Sequence, residues 1–243
     1  MQDIHLKNRD SIWSSKQILR NVYADLFQRI EAWLCPGLTV EVGGGTGLAK
    51  RFLRDTISSD IVFGQEVDCV ADCHDLPFKN QSLSNIVMLD VLHHLDTPVL
   101  FLREASRQLR AGGRIIMIEP GITPVSWFFY KLLHEEPVDM AVNPFSQERP
   151  STQKDPFDGN QAIPTIMFNR YLQETKKYIP NLKVKKINFI SLFCYPLSGG
   201  FQSWSLLPAW AAGPLLKIEK LFEPLFGGFF GFRIIIVLEK VDV

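Results

Sequence analysis

Five residues, Gly43-Gly44-Gly45-Thr46-Gly47, stand between an apolar run that suits a strand, Leu38 to Val42, and a stretch of helical character from Leu48 to about Arg54. A strand-to-helix turn this tight needs backbone that reaches positive φ and lets a ligand approach without meeting a Cβ. The same rhythm continues: strand-like runs at Thr56 to Ser59 leading to Asp60, at Val67 to Ala71 and at Asn85 to Leu89, with a turn at Leu76 to Lys79. A helix follows, opened by Asp96, Thr97 and Pro98, running to Arg110 and stopped by Gly112 and Gly113. Then comes a buried strand, Arg114 to Glu119, that ends at Pro120. Alternation of this kind predicts an α/β fold with a mostly parallel sheet covered on both faces. Ahead of it, apolar residues from Ile18 to Leu34 recur three and four apart and predict a helix over 16–34. Ser14 or Ser15 would cap it, and Pro36 and Gly37 end it.

After Pro120 the rhythm breaks. An aromatic helix, Val125 to His134, leads to a long loop, Asn143 to Gln161, then to a helix around Met167 to Tyr178, and strands are expected at Lys183 to Phe193 and Phe232 to Glu239. In the apolar segment 196–231, Leu215, Ile218, Leu221, Phe222, Leu225 and Phe226 form one helical face, expected to pack on the sheet. Of the 28 aromatic residues, 20 lie after residue 120, including 13 of the 18 phenylalanines. Core packing, a greasy acceptor channel and shallow membrane contact are alternative uses for this ring surface. The basic run Lys183, Lys185, Lys186 suits the exposed face of a strand.

The 26 basic side chains balance the 26 acidic ones, which argues against nucleic acid as a partner, because that binding rests on a surplus of Lys and Arg. Four scattered cysteines, Cys35, Cys69, Cys73 and Cys194, do not make a disulfide framework and suit a reducing compartment. The polar N-terminus and the lack of a membrane-length apolar run lead to the expectation of a cytoplasmic protein, with peripheral membrane contact as an addition.

The glycine turn excludes some ligands. A phosphate-binding P-loop places Lys and Ser or Thr directly after its last glycine, and here Gly47 is followed by Leu48 and Ala49. In the dinucleotide fingerprint the third glycine would fall on Leu48, and the acidic residue, Asp60, comes early. Glu41 before the turn and Asp60 after the next strand are placed to accept hydrogen bonds from ligand amine and hydroxyl groups.

Glu41 to Gly47 resembles the first motif of class I S-adenosylmethionine-dependent methyltransferases, particularly the small-molecule branch (methyltransferase type 11) that includes ubiquinone and menaquinone methyltransferases. Asp72-Cys73-His74-Asp75-Leu76-Pro77-Phe78 is similar to the family's adenine-side segment, Leu89-Asp90-Val91-Leu92-His93-His94-Leu95 to its fourth motif, and Leu109 to Arg114 to the turn before its fifth strand. The resemblance covers about residues 38 to 120; Asn85 stands where the family commonly has Asp. It implies a Rossmann-like seven-stranded sheet, mostly parallel with the last strand antiparallel, and S-adenosyl-L-methionine as cofactor. It also implies that Gly43, Gly44, Gly45 and Gly47 pass under the methionine part, that Glu41 and Leu89 join this cofactor site, and that Asp60 holds the ribose. Asp72 and the Cys73 backbone would then meet the adenine.

The chain divides accordingly into an N-terminal helical cap (1–37), a cofactor-binding core (38–120), an insertion serving as acceptor lid (121–182), and C-terminal strands with an apolar helical insert (183–243). The expected activity is methyl transfer to a small, aromatic or lipid-like acceptor; the alternative is a non-catalytic S-adenosylmethionine-binding regulatory module. His93 and His94 are the candidate catalytic residues at the mouth. Adjacent residues on a helix point about 100° apart, so one would face the cleft and the other pack or meet solvent. His134, Glu135, Glu136 and Asp139 form a second polar group that could line the acceptor pocket or hold a metal, and Cys69, Cys73 and His74 also sit close in sequence; no metal site is expected from either. The long loop Asn143 to Gln161, which carries the polar groups of Asp155 to Gln161, is the expected substrate lid, with a surface loop as the alternative.

Overall fold

The computed structural model describes residues 2–134, 136–148 and 155–241. Seven strands form one sheet: β1 (Thr39–Val42), β2 (Thr56–Asp60), β3 (Cys69–Val70), β4 (Leu83–Leu89), β5 (Leu109–Pro120), β6 (Leu182–Ile190) and β7 (Arg233–Lys240). Their order is β3-β2-β1-β4-β5-β7-β6. Neighbours from β3 to β5 pair parallel, and β7 runs antiparallel between β5 and β6. The expected seven-stranded, mostly parallel sheet with its last strand antiparallel is what forms.

The central strands read as continuous apolar runs because both faces are covered. Along β5, Ile115 and Met117 join the core under α3 (Pro98–Gln108), while Ile116 and Ile118 point the other way, to the core under α2 (Gln17–Glu31). The alternation is that of a pleated strand. Asn85 ties this sheet to the chain before it. Its Oδ1 accepts the Cys35 N–H at 2.8 Å, and its amide donates to the Cys35 carbonyl at 2.8 Å and to Thr39 Oγ1 at 3.0 Å.

Several elements differ from the sequence reading. The first helix is preceded by another, α1 (Gln2–Ser15), which lacks the apolar periodicity that would reveal it. Neither serine caps α2: Ser15 Oγ donates back to the Ser11 carbonyl at 3.0 Å, and Lys16 occupies the junction. The helix expected after the glycine turn shrinks to one 3₁₀ turn, Ala49–Arg51, before Asp55, at φ 52°, redirects the chain into β2. Gly112 and Gly113 do not stop a helix but lie inside β5. There the register against β4 shifts between Leu83 and Asn85, and Gly112 sits at φ 71°.

The second half builds α4 (Pro124–Leu133), whose N-terminus carries a reciprocal cap between Thr123 and Ser126. Next comes α5 (Ile163–Thr165), continued through a π turn (Ile166–Arg170) into α6 (Leu172–Tyr178). Two more helices, α7 (Cys194–Ser198) and α8 (Ala209–Phe230), precede β7.

Most of the face of α8 expected to pack inward points outward instead: Leu215 packs against the core, but Ile218, Leu221, Phe222, Leu225 and Phe226 are exposed, and Ala212, Leu216, Glu219, Glu223 and Gly227 are buried. Two glutamates override the hydrophobic pattern because each satisfies buried donors. Glu219 Oε2 accepts the Phe193 and Cys194 N–H groups at 3.0 and 2.7 Å, at the start of α7. Glu223 accepts both terminal nitrogens of Arg29 at 2.7 and 2.9 Å and the Ser191 N–H at 3.0 Å.

Candidate active site

Strands β1 to β5 direct their carboxyl ends to one edge of the sheet, where ligands bind in open α/β folds. The glycine turn follows β1, Asp60 ends β2, Asp72 follows β3, Leu89 ends β4, and Glu119 lies near the end of β5. The sequence candidates therefore converge because each lies where its strand leaves the sheet.

Glu41 is buried in β1, and its Oε2 accepts a hydrogen bond from Ser58 Oγ at 2.9 Å. Burial raises its pKa to about 7, against the lowering effect of that hydrogen bond. Gly44 lies directly over this pair: a Cβ there would sit 1.9 Å from Ser58 Oγ and 2.8 Å from Glu41 Oε2. Gly43, at φ +73°, backs onto Val91, whose Cγ2 would be 2.3 Å from an added Cβ. The turn is pinned to the next strand through Asp60, whose Oδ2 accepts the Gly45 N–H at 2.8 Å and whose Oδ1 accepts the Val62 N–H at 2.9 Å. Gly47 closes it with an N–H to the Gly44 carbonyl at 2.8 Å.

Asp72 accepts the His74 N–H at 2.8 Å and lies 2.8 Å from its Nδ1, with the carboxylate partly open to solvent. Cys73 is buried, its Sγ 3.6 Å from the same ring nitrogen. His74 Nε2 reaches Thr97 Oγ1 at 3.0 Å, anchoring the segment to the start of α3. Leu89 is half-buried.

After β4 the chain turns at Asp90, φ +61°, into a 3₁₀ turn, Leu92–His94. Glu119, fully buried, organises this turn. Its Oε1 accepts the N–H groups of Val91 and Leu92 at 2.9 and 2.8 Å, and its Oε2 lies 2.8 Å from His93 Nδ1. On the other side, His93 Nε2 is 3.3 Å from Glu136 Oε2. The two histidines do not diverge as helix geometry suggests: their ring centroids are 4.1 Å apart, and both lie against Gly159.

Burial opposes charge on His93, but the hydrogen bonds and negative charges of Glu119 and Glu136 outweigh it and raise its pKa to about 9. Burial likewise works against the Glu136 carboxylate, yet His93 brings it down to about 2. Burial, then the charge of His93, lowers the pKa of His94. The charged form is thus favoured on His93 and the neutral form on His94.

The loop before α5 covers these rings. Asn160 donates its N–H to the His93 carbonyl at 2.9 Å, the Asp158 carbonyl lies 3.1 Å from His94 Nδ1, and the Gln161 amide bonds Glu136. Of the second polar group, Glu136 alone among the described residues reaches the histidines. His134 Nδ1 instead accepts the Glu136 N–H at 3.2 Å, Asp139 Oδ1 accepts the Ala141 N–H at 2.8 Å, and Glu135 lies outside the described residues. Sequence reasoning missed Glu119, whose only signal was an acidic residue directly after the apolar run Ile115 to Ile118, and it missed the Asp90–Arg233 pair. A cleft of about 490 Å³ lined by Arg103, Arg107, Tyr178 and Lys240 lies at the opposite edge of the sheet, away from these groups.

Residues 40–117 match the family model of a methyltransferase domain. The uncharacterized protein MJ1123 of Methanocaldococcus jannaschii is 26% identical over 125 residues, 47% of this chain and 58% of that protein, so the match spans little more than half of its length. Among solved structures, a SAM-dependent methyltransferase from Thermotoga maritima aligns over 99% of this chain and 100% of its own, with a TM-score of 0.60 and 18% identity. A SAM-dependent methyltransferase from Archaeoglobus fulgidus aligns over 91% of this chain and 94% of its own, with a TM-score of 0.54 and 16% identity. Residues 40–117 therefore match a methyltransferase domain, and the chain has the fold that these structures share.

Proposed function

We propose that the protein transfers a methyl group from S-adenosylmethionine to a small, apolar acceptor, aromatic or lipid-like, that enters beside His93 and His94. The observation that carries this reading is the convergence of Glu41, Asp60 and Asp72 on one sheet edge, around a turn where a side chain at Gly43 or Gly44 would collide with its neighbours. Three carboxylates suit a ligand that offers an ammonium, a pair of vicinal hydroxyls and an amine on an aromatic ring.

When bound, the cofactor supplies a methyl group on a positively charged sulfur, and the protein's first task is to align the acceptor behind it. Glu41 would accept from the ammonium, Asp60 from the ribose hydroxyls, and Asp72 with the Cys73 backbone from the adenine. The backbone of Gly43 to Gly47 and the side chain of Leu89 would floor the methionine part. Where the acceptor atom carries a proton, His94 is the candidate to take it, because burial and the charge of His93 favour its neutral form, while the hydrogen bonds of His93 favour its charged one. Asp155 to Gln161, hooked onto both histidines, serves as the lid, within the insertion 121–182.

An apolar acceptor is supported by the outer surface of α8 and its neighbour α4. Trp210 is 82% exposed, Leu225 79%, Leu221 74% and Leu132 76%, and Phe128, Leu133, Phe222 and Phe226 extend the same apolar character. An apolar surface of this kind suits shallow contact with a lipid bilayer and extraction of an acceptor from it. No helix among the described residues is long and apolar enough to cross a membrane. Incubation with methyl-labelled cofactor and fractionated cell lipids tests the reading. Label in a new apolar compound is expected; cofactor binding without any labelled product would favour the regulatory module.

A further inference from the structure

We infer that His93, His94 and Glu136 form a binding site for one divalent transition-metal ion of the zinc class, at the mouth of the cofactor edge. This goes beyond methyl transfer, and with the ion bound His94 is a ligand rather than a proton acceptor. One ligand atom from each of the three residues lies within 4.8 Å of the other two. The 3.3 Å between His93 Nε2 and Glu136 Oε2 is long for a charged hydrogen bond. It is the separation expected of two atoms that each lie about 2.1 Å from a common ion and subtend about 100° there.

The surroundings of the three donors fit the same use. A metal-bound histidine turns its other ring nitrogen to a carboxylate or carbonyl, which fixes the orientation of the ring. Glu119 does this for His93 at 2.8 Å, and is itself held rigid by two backbone N–H groups. Glu136 is in turn held by the Gln161 amide. Roofing the cluster is the one residue type without a side chain: a Cβ at Gly159 would come within 2.9 Å of His94 Nδ1 and 3.0 Å of Glu136 Oε2, in the space beside the donors.

Two imidazoles and one carboxylate suit a borderline ion such as zinc and leave at least one position for an acceptor oxygen. The second cluster of potential ligands, Asp72, Cys73 and His74, lacks this arrangement: Asp72 and His74 already close on each other at 2.8 Å.

The test is titration of the chelator-treated, full-length protein with cobalt(II) alone, followed by its visible absorption and by calorimetry. The wild type is expected to take up one equivalent, with bands of a low-coordinate nitrogen and oxygen site. His94→Gln and Glu136→Gln should each weaken binding at least tenfold, and His74→Gln should leave it unchanged; circular dichroism checks that each variant folds. Absence of wild-type binding at millimolar cobalt, or affinity insensitive to either His94→Gln or Glu136→Gln, overturns the site. So does a sulfur-to-cobalt band that His74→Gln abolishes, which would move the ion to Cys73.

Discussion

Arg233, the first residue of β7, closes both terminal guanidinium nitrogens on the two carboxylate oxygens of Asp90, the residue by which the chain leaves β4. The guanidinium is 2% exposed and stacks 4.0 Å from the centroid of the Tyr195 ring. Burial alone would raise the Asp90 pKa, and the charge and hydrogen bonds of Arg233 outweigh it and hold the carboxyl below its usual range. The pair thus fixes the left-handed corner, φ +61°, from which the His93–His94 turn starts. Arg233→Met should cost about 3 kcal/mol or more in urea unfolding, because it strands a carboxylate inside the protein. The double variant with Asp90→Asn should recover most of that loss.

Glu41 gives a pH dependence with a definite sign. Its folded pKa is raised to about 7, so between the ordinary carboxylate range and pH 7 the native protein holds a proton that the unfolded chain has released. Stability should therefore fall as pH rises through that window, by up to about 3 kcal/mol, and level off above pH 7. Glu41→Gln should lack this component when unfolding midpoints are compared between pH 5 and pH 7.5 without cofactor.

Lys16 reaches across the molecule to the carbonyls of Gly200, Gln202 and Trp204 at 2.9, 2.8 and 2.7 Å. The ammonium thereby gathers the connection between α7 and α8. Lys16→Met should cost about 2 kcal/mol and expose this loop, read as faster hydrogen exchange or proteolysis within residues 199–206.

The inverted α8 separates surface from core by a simple measurement. Leu221→Ser and Leu225→Ser should change stability by less than about 0.5 kcal/mol each, because both side chains are already in solvent. The same changes, with Trp210→Ser, should reduce sedimentation with lipid vesicles. Unchanged vesicle binding, or losses of stability typical of core residues, would contradict the assignment of this face to a bilayer.

The strands of the first half are legible because local sequence marks where each leaves the sheet. Gly43 to Gly47 follow β1 and Asp60 ends β2, as the pattern requires, although the helix expected between them shrinks to Ala49–Arg51. The second half hid its logic in long-range pairing. Nothing near Glu219 or Glu223 in sequence shows that one meets the N–H groups of Phe193 and Cys194 and the other meets Arg29, so the apolar periodicity of α8 pointed to the wrong face. Glu136 was in view as one of four polar neighbours. That it alone would reach His93 depends on how residues 155–161 fold back over the turn. Polar N-terminal residues likewise gave no periodic sign of α1, and the Lys16 contacts span more than 180 positions.

Cofactor binding tests the central claim most directly. Calorimetric titration of S-adenosylmethionine into the wild type should show one site, and Asp60→Ala should bind at least tenfold more weakly, because the carboxylate holds the Gly45 N–H and, on the proposed reading, would accept from the ribose. No heat of binding from the wild type at millimolar cofactor, or equal affinity in the variant, would contradict the account.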